Sequence, residues 1–425
     1  MARFKKWFKL DNAAKLYPAV ATSRWTSAYR VSAELYEPVQ PALLRRAVDR
    51  VLPRFPALKV RMRSGLFWYY LEEVPYPLSV CEDAGHACMP FRKYQNHGYL
   101  MRIFYYRNRI SAEFFHALTD GTGAMVFIKT LATEYLRLLG HEVAFDHGAL
   151  NPADAPSPAE TQDTFTHMPL PRVRVSRKEE RAYHFPATAE IPHTLHIIAA
   201  SIPCDALLAK ARGLEVTLTE YLTGVMIFAG CQAQKQLPER KWRPVRVSVP
   251  VNMRAFYPTQ TLRNFSSFIN PGVDPRLCDY SFEQIVHEVH DFMRYRLRDP
   301  LLRAAIATNV ADEQSIFIRL APLPLKNFVI SQVFRRAGDQ LVTTTLTNLG
   351  RQEAPTGTEK LIRRFEFQLG APPTPICNAA AVSYGNELRL VFSSNIRETT
   401  LPRETLRFLV AQGIPVEVES NYEEE

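Results

Sequence analysis

His116, Asp120 and Gly121 lie in the stretch EFFHALTDGTGAMVF, residues 113–127, where an apolar run ends at a histidine and a glycine-bearing turn opens a helical pattern. A residue at the end of a buried strand is held by the sheet while its side chain can project into a cleft, which is the placement a general base requires. Imidazole is also the side chain best matched to taking and returning a proton near neutral pH. Asp120 follows four residues on, and Gly121 and Gly123 let the backbone turn where bulkier residues would strain.

The elements that must hold this stretch are legible from periodicity. Residues 100–106 and 110–115 read as two strands around the polar turn Arg107, Asn108, Arg109, and residues 124–139 as a helix with apolar positions at three- and four-residue steps. Upstream, PALLRRAVDRVLPRFP (41–56) reads as an amphipathic helix ended by Pro53, and LKVRMRSGLFWYYLEEV (58–74) as a hairpin turning at Ser64 and Gly65. Between about 144 and 181 periodicity fails in a proline-rich polar stretch, which reads as a linker. A second series follows, with helices in CDALLAKARGLE (204–215), TLTEYLTGVMIFAGCQAQKQ (217–236) and FEQIVHEVHDFMRYRL (282–297). Strands are expected in PVRVSVPVNMR (244–254), GDQLVTTTLTNLG (338–350), AAVSY (380–384) and ELRLVFSSN (387–395), the last two joined by a tight turn at Gly385 and Asn386. The expectation is an α/β chain, α+β in character with mixed sheets, in two lobes: 1–181, which includes the linker, and 182–425.

Composition narrows the function. The chain has 425 residues, 46% apolar and 22% charged, which suits a folded protein with a sizeable core and excludes a disordered or collagenous chain. Its longest apolar run, near 221–231, is about half of what a membrane-spanning helix needs. A net charge of +9 favours anionic partners, phosphate or a membrane surface before nucleic acid, because RIFYYRNR (102–109) reads as a sheet strand rather than a nucleic-acid motif. Six dispersed cysteines without CxxC spacing fit a reducing cytoplasm. No GxSxG, HExxH or GxxxxGK[ST] occurs, and the spaced pairs His193, His196 and His287, His290 lack the partners of a metal site, so no metal is expected.

His116, Asp120 and Gly121 form an HxxxDG pattern that resembles the active-site motif of the acyltransferase superfamily containing chloramphenicol acetyltransferase, plant BAHD acyltransferases, alcohol acetyltransferases and peptide-synthetase condensation domains. SVPVNMRAFYPTQTLRNF (248–265) resembles that family's strand ending in an arginine, followed by an asparagine further on. PALLRRAVDRVLPRFPALKVRM resembles the opening helix and strand of condensation-type proteins, and TLTNLG (345–350) resembles a SNxG-like strand end. The DFGWG sequence of the plant members is absent.

The resemblance implies two chloramphenicol acetyltransferase-like lobes with an active-site tunnel between them. It implies transfer of an acyl group from acyl-CoA, or from an acyl carrier protein, to the hydroxyl or amine of a small-molecule acceptor, with His116 as base and no covalent intermediate. Acyl-CoA would be a co-substrate, and no permanently bound cofactor is implied. Arg254 matches the arginine that pairs with the motif aspartate, so Asp120 and Gly121 would shape the loop, while Thr347 or Asn348 would donate a hydrogen bond to the oxyanion. The arginine pairs Arg335, Arg336 and Arg363, Arg364 are candidate contacts for the donor's phosphates. A non-catalytic docking module on the same fold is the alternative. Phe4, Trp7, Phe8 and Leu10 mix with Arg3, Lys5, Lys6 and Lys9, a pattern for a basic interfacial helix giving peripheral membrane contact.

Overall fold

A computed structural model describes residues 7–22, 26–173, 175, 179–314, 320–372, 374 and 376–422. The strand Arg109–Phe115 is central to a five-stranded sheet whose order is Ile362–Leu369, Ala28–Leu35, Arg109–Phe115, Met101–Tyr106 and Val80–Glu82. Its pairs are antiparallel except the last, which is parallel. The helices Pro41–Val51 and Gly121–Leu139 pack against each other in this lobe, and the second also meets the central strands. Met125, Ile128, Leu131, Ala132 and Tyr135 are buried, so the three- and four-residue spacing read from sequence is the core stripe. The helix begins three residues earlier than its apolar pattern, because the Asp120 carboxylate accepts from Gly123 N–H and caps its first turn. Gly140, at φ +103°, ends it in the left-handed conformation that glycine adopts without strain.

The second sheet runs Ser266–Ile269, Val245–Asn252, Thr344–Gln352, Cys377–Tyr384, Glu387–Ser394, His196–Pro203 and Glu417–Ser420. Thr344–Gln352 lies parallel to both of its neighbours and the remaining pairs are antiparallel, so the sheet is mixed. The helix Leu218–Gln234, opened by a reciprocal cap between Thr217 and Glu220, is buried in this lobe's core together with Ile285, Val286 and Val289 of Phe282–Arg296. Among the described residues no single helix is long and apolar enough to cross a membrane.

The chain does not stay on one side of residue 181. Ile362–Leu369 returns to the first sheet as its edge strand, in antiparallel register with Ala28–Leu35, and Phe365 and Phe367 join the first core. Neither of these two strands was expected from sequence. Ala28–Leu35 alternates, with Tyr29, Val31, Ala33 and Leu35 in the first core and Arg30 and Ser32 buried on the other face, where Glu113 and Asp83 satisfy Arg30. The proline-rich segment is tied down: Arg54 forms a bidentate pair with Glu160, Leu262 N–H donates to the Glu160 carbonyl, and Phe165 packs on Phe265 with ring centroids 4.8 Å apart. That segment braces the loop after Asn252 from which the site takes two of its residues. At the N-terminus the expected interfacial helix is replaced over Trp7–Lys9 by a strand, whose backbone pairs with Tyr69–Glu73 of the hairpin Val60–Glu73. Residues 1–6, with Arg3, Phe4, Lys5 and Lys6, lie outside the described residues.

Candidate active site

The strand Arg109–Phe115 delivers His116 at its end, where its N–H donates to the Ser27 carbonyl at 2.8 Å. The ring is packed between two tyrosines. Tyr17 stacks on it at 4.2 Å between centroids and 12° between planes, and Tyr29 meets it edge-on at 5.0 Å. Tyr29 is itself held by donating its hydroxyl to the Thr119 carbonyl.

A chain of side-chain hydrogen bonds fixes which imidazole nitrogen carries the proton. His116 Nδ1 is 3.2 Å from Asn264 Oδ1, and Asn264 Nδ2 is 3.2 Å from Asp11 Oδ2. An ionised carboxylate can only accept, so the Asn264 amide must turn its NH2 group toward Asp11 and its carbonyl toward the imidazole. The carbonyl in turn requires a proton on Nδ1, which leaves the lone pair on Nε2. Nε2 faces the Tyr17 hydroxyl at 3.4 Å, which donates to it. Burial holds the His116 imidazole below its ordinary value of 6.5, with Asp120, Asn264 and Asp11 opposing, so the ring is a neutral base at physiological pH. Asp11 is pushed up to about 6 by burial, against the lowering influence of Arg263. Its carboxylate also accepts from Ala14 N–H at 2.6 Å.

Asp120 and Arg254 meet as the sequence pattern anticipates. Arg254 Nη1 donates to Asp120 Oδ2 at 2.8 Å, Nη2 to the Arg263 carbonyl at 2.6 Å and Nε to the Thr261 carbonyl at 3.0 Å. Asp120 Oδ2 also accepts from Phe265 N–H at 2.9 Å. The loop holding Asn264 is thereby clamped to the start of the helix after His116. Thr119 adds a second tie from the same turn, its hydroxyl donating to the Leu262 carbonyl. Gly123 is required by this approach, since a Cβ there would lie 2.1 Å from Thr119 Oγ1 and 2.3 Å from the Leu262 carbonyl oxygen. At Gly121 a Cβ would meet the Leu349 side chain at 2.7 Å, which places the TLTNLG strand end beside the histidine loop.

No family model and no curated protein matches the sequence. Solved structures do match. Polyketide synthase associated protein 5 from Mycobacterium tuberculosis superposes with a TM-score of 0.63 at 13% identity, over 95% of this chain and 96% of that one. TRI3 trichothecene 15-O-acetyltransferase from Fusarium sporotrichioides does so at 0.62 and 10%, over 96% and 94%, and the first condensation domain of the CDA synthetase at 0.62 and 15%, over 97% of each chain. At 10–15% identity these likenesses show that the chain shares its fold with condensation domains and with this acetyltransferase.

Within this fold the other expected residues separate. Asn348 is engaged at both ends of its amide, donating to Thr219 Oγ1 and accepting from Gly350 N–H. Leu349 touches the Gly121 turn, and the pairing of this strand with Cys377–Tyr384 shifts register between Asn348 and Arg351. Arg364, buried, pairs with Glu34 and Glu387 in a network between the sheets, while Arg363 pairs with Glu34 and keeps half of its side chain exposed. The side chains of Arg335 and Arg336 lie outside the described residues. Among the described residues no cluster of three or more metal-ligating side chains occurs. Sequence reasoning gave no role to Asp11, Tyr17, Tyr29 or Asn264. Asn264 stands in the quoted pattern after Arg254, whereas Asp11 and Tyr17 reach the histidine only through the fold.

Proposed function

We propose that this protein is an acyltransferase that moves an acyl group from a thioester, acyl-CoA first among the candidates, to the hydroxyl or amine of a small-molecule acceptor. The observation that carries the reading is the chain from Asp11 through Asn264 to His116, which leaves an unprotonated, sheet-anchored Nε2 as the base. In the proposed step Nε2 removes the acceptor's proton as its oxygen or nitrogen bonds to the thioester carbonyl carbon. The tetrahedral oxyanion then collapses, the C–S bond breaks, and the imidazolium returns the proton to the departing thiolate. Asn264 stabilises that imidazolium through Nδ1–H, and Thr347 is the proposed donor to the oxyanion. Asp120 and Arg254 act on geometry, holding the Asn264 loop against the turn that bears His116.

The fold neighbours support the donor class. One is a starter condensation domain variant of rhizomide synthetase RzmA in complex with C8-CoA, at 12% identity and a TM-score of 0.59, and another is an acetyltransferase. The first is the reason to test medium-chain acyl-CoA first, and carrier-bound acyl groups second. The reaction requires Tyr17 to leave Nε2, because its hydroxyl stands where the acceptor's proton must arrive. Purified protein supplied with acyl-CoA and a panel of alcohols and amines should release free thiol only when an acceptor is present. A protein that binds the thioester with no turnover across the panel would favour the docking module instead.

A further inference from the structure

The helix Leu323–Ala337 turns an apolar stripe outward. Leu325, Phe328, Val329 and Val333 recur at three- and four-residue steps and are exposed, while Leu323 and Lys326 are buried. The buried face sits on the tip of the hairpin Val60–Glu73: Leu323 N–H donates to the Leu66 carbonyl at 3.0 Å, Lys326 Nζ to the Phe67 carbonyl at 2.7 Å and Asn327 Nδ2 to the Tyr69 hydroxyl at 2.8 Å. Leu66, 72% exposed, therefore stands beside the stripe that includes Phe328, 62% exposed. Along the same hairpin, the register of Trp7–Lys9 puts Trp7, Lys9 and Tyr70 together on the outward face, and Trp7 is 60% exposed. A cleft lined by Leu10, Lys15, Trp68, Tyr69, Leu323 and Lys326 marks the seam where the three pieces meet.

Among the described residues these pieces hold Lys9, Lys59, Arg61, Arg63 and Lys326 against Glu72 and Glu73, a net charge of +3. The two acids are already engaged, Glu72 by Arg61 and Arg63 and Glu73 by Lys59. Protruding aliphatic and aromatic side chains on pieces of net positive charge match the interface of an anionic bilayer: apolar groups enter the acyl boundary, tryptophan and tyrosine sit at headgroup level, and lysine and arginine meet phosphate.

We propose that the outward face of Leu323–Ala337, the hairpin tip at Leu66 and Phe67, and the strand Trp7–Lys9 together form a docking surface for anionic lipid bilayers. The docking helix also packs on Leu16–Val20, which carries Tyr17 over His116, so the surface lies one helix away from the covered nitrogen. The proposal stands without the acyl-transfer reading, because its test measures partition and not turnover.

Full-length protein is sedimented with vesicles of phosphatidylcholine alone and of phosphatidylcholine with phosphatidylserine. Binding to the mixed vesicles is expected, with partition falling about tenfold or more when salt is raised and in the Leu325→Glu, Phe328→Glu double variant. Tyr94→Glu, at a fully exposed aromatic position elsewhere, should bind as wild type, and the salt series on wild type needs no variant at all. Absence of binding, equal partition onto neutral vesicles, or equal partition of the double variant would overturn the proposal. So would a wild-type dimer abolished in the double variant without vesicle binding, which would assign the face to a second copy of the chain.

Discussion

Asp11→Asn should move stability and activity in opposite directions. The wild-type carboxyl is buried and pushed up to about 6, from an ordinary value of 3.8. A raised carboxyl holds its proton better in the folded than in the unfolded chain. Its contribution is therefore full below the unfolded value and is lost as pH rises through about 6, amounting to about 3 kcal/mol. Asparagine does not ionise, so the difference in unfolding free energy should shift in the variant's favour by about 3 kcal/mol between about pH 2.5 and about pH 7, then level off. Urea denaturation of both proteins across that range, with unchanged slopes, reads this out. Catalysis should respond the other way. An amide at position 11 has one acceptor for the donors that Asp11 meets with two oxygens, Ala14 N–H on Oδ1 and the Asn264 NH2 on Oδ2; with its NH2 in the Oδ2 place, Asn264 must flip to avoid two donors meeting, and the Asn264 NH2 would then face His116 Nδ1. The imidazole proton would move to Nε2, and turnover should fall by roughly 100-fold or more, the scale of a lost general base. Nitrogen chemical shifts of His116 would report the tautomer directly. Unchanged turnover together with an unchanged tautomer would refute the hydrogen-bond logic, and a flat stability difference would refute the burial argument.

Four further outcomes follow from the same geometry. Arg254→Ala strips a partner from a carboxylate whose side chain is 7% exposed and should cost about 3–5 kcal/mol; combined with Asp120→Asn it should cost at least about 1 kcal/mol less than the sum, whereas additivity in a denaturation cycle would disprove the coupling. The acid limb of kcat/KM should carry a His116 component below 6.5, because burial favours the neutral ring; a limb set at or above 6.5 would contradict it. The same depression means that His116 favours folding above 6.5 and that this contribution is lost as pH falls below it, which His116→Gln should abolish in a pH series of melting temperatures. Gly123→Ala drives a methyl into a backbone carbonyl and should destabilise by about 3 kcal/mol or more, while Gly121→Ala meets side chains alone, the movable end of Leu349 and the edge of Phe367, and should cost about 1–2 kcal/mol; thermal melts of both would expose a reversed order.

Much of the fold was legible because its core elements are locally regular. The helix Gly121–Leu139 and the strands around Arg107 and Arg109 follow their apolar periods, and the capping aspartate only extends the helix by a turn. Ala28–Leu35 alternates Tyr29, Val31, Ala33 and Leu35 with Arg30, Ser32 and Glu34, a period open to reading in the sequence; what no local pattern encodes is that Arg30 finds Glu113 and Asp83 and that Ser32 finds Ser111. Ile362–Leu369 alternates only from Arg364 onward, after a register shift, and its membership of the first sheet is a long-range choice made by pairing with a strand some three hundred residues earlier. At the site, His116, Asp120 and Arg254 were readable from motif and spacing. Asp11 and Tyr17 were not, since an N-terminal stretch of mixed lysines and aromatics reads as a surface helix until its backbone is paired to the hairpin. The contacts of Leu349 with the Gly121 turn and of Asn348 with Thr219 are likewise long-range, and no local pattern in TLTNLG encodes them.

The central claim is that His116 Nε2 is the base of an acyl transfer, and thiol release from acyl-CoA in the presence of acceptor, by wild type and by His116→Ala at equal folded concentration, tests it most directly. The account predicts acceptor-dependent release by wild type that falls by roughly 100-fold or more in the variant, with the melting transition retained. Acceptor-dependent release at the same rate in both proteins would contradict it.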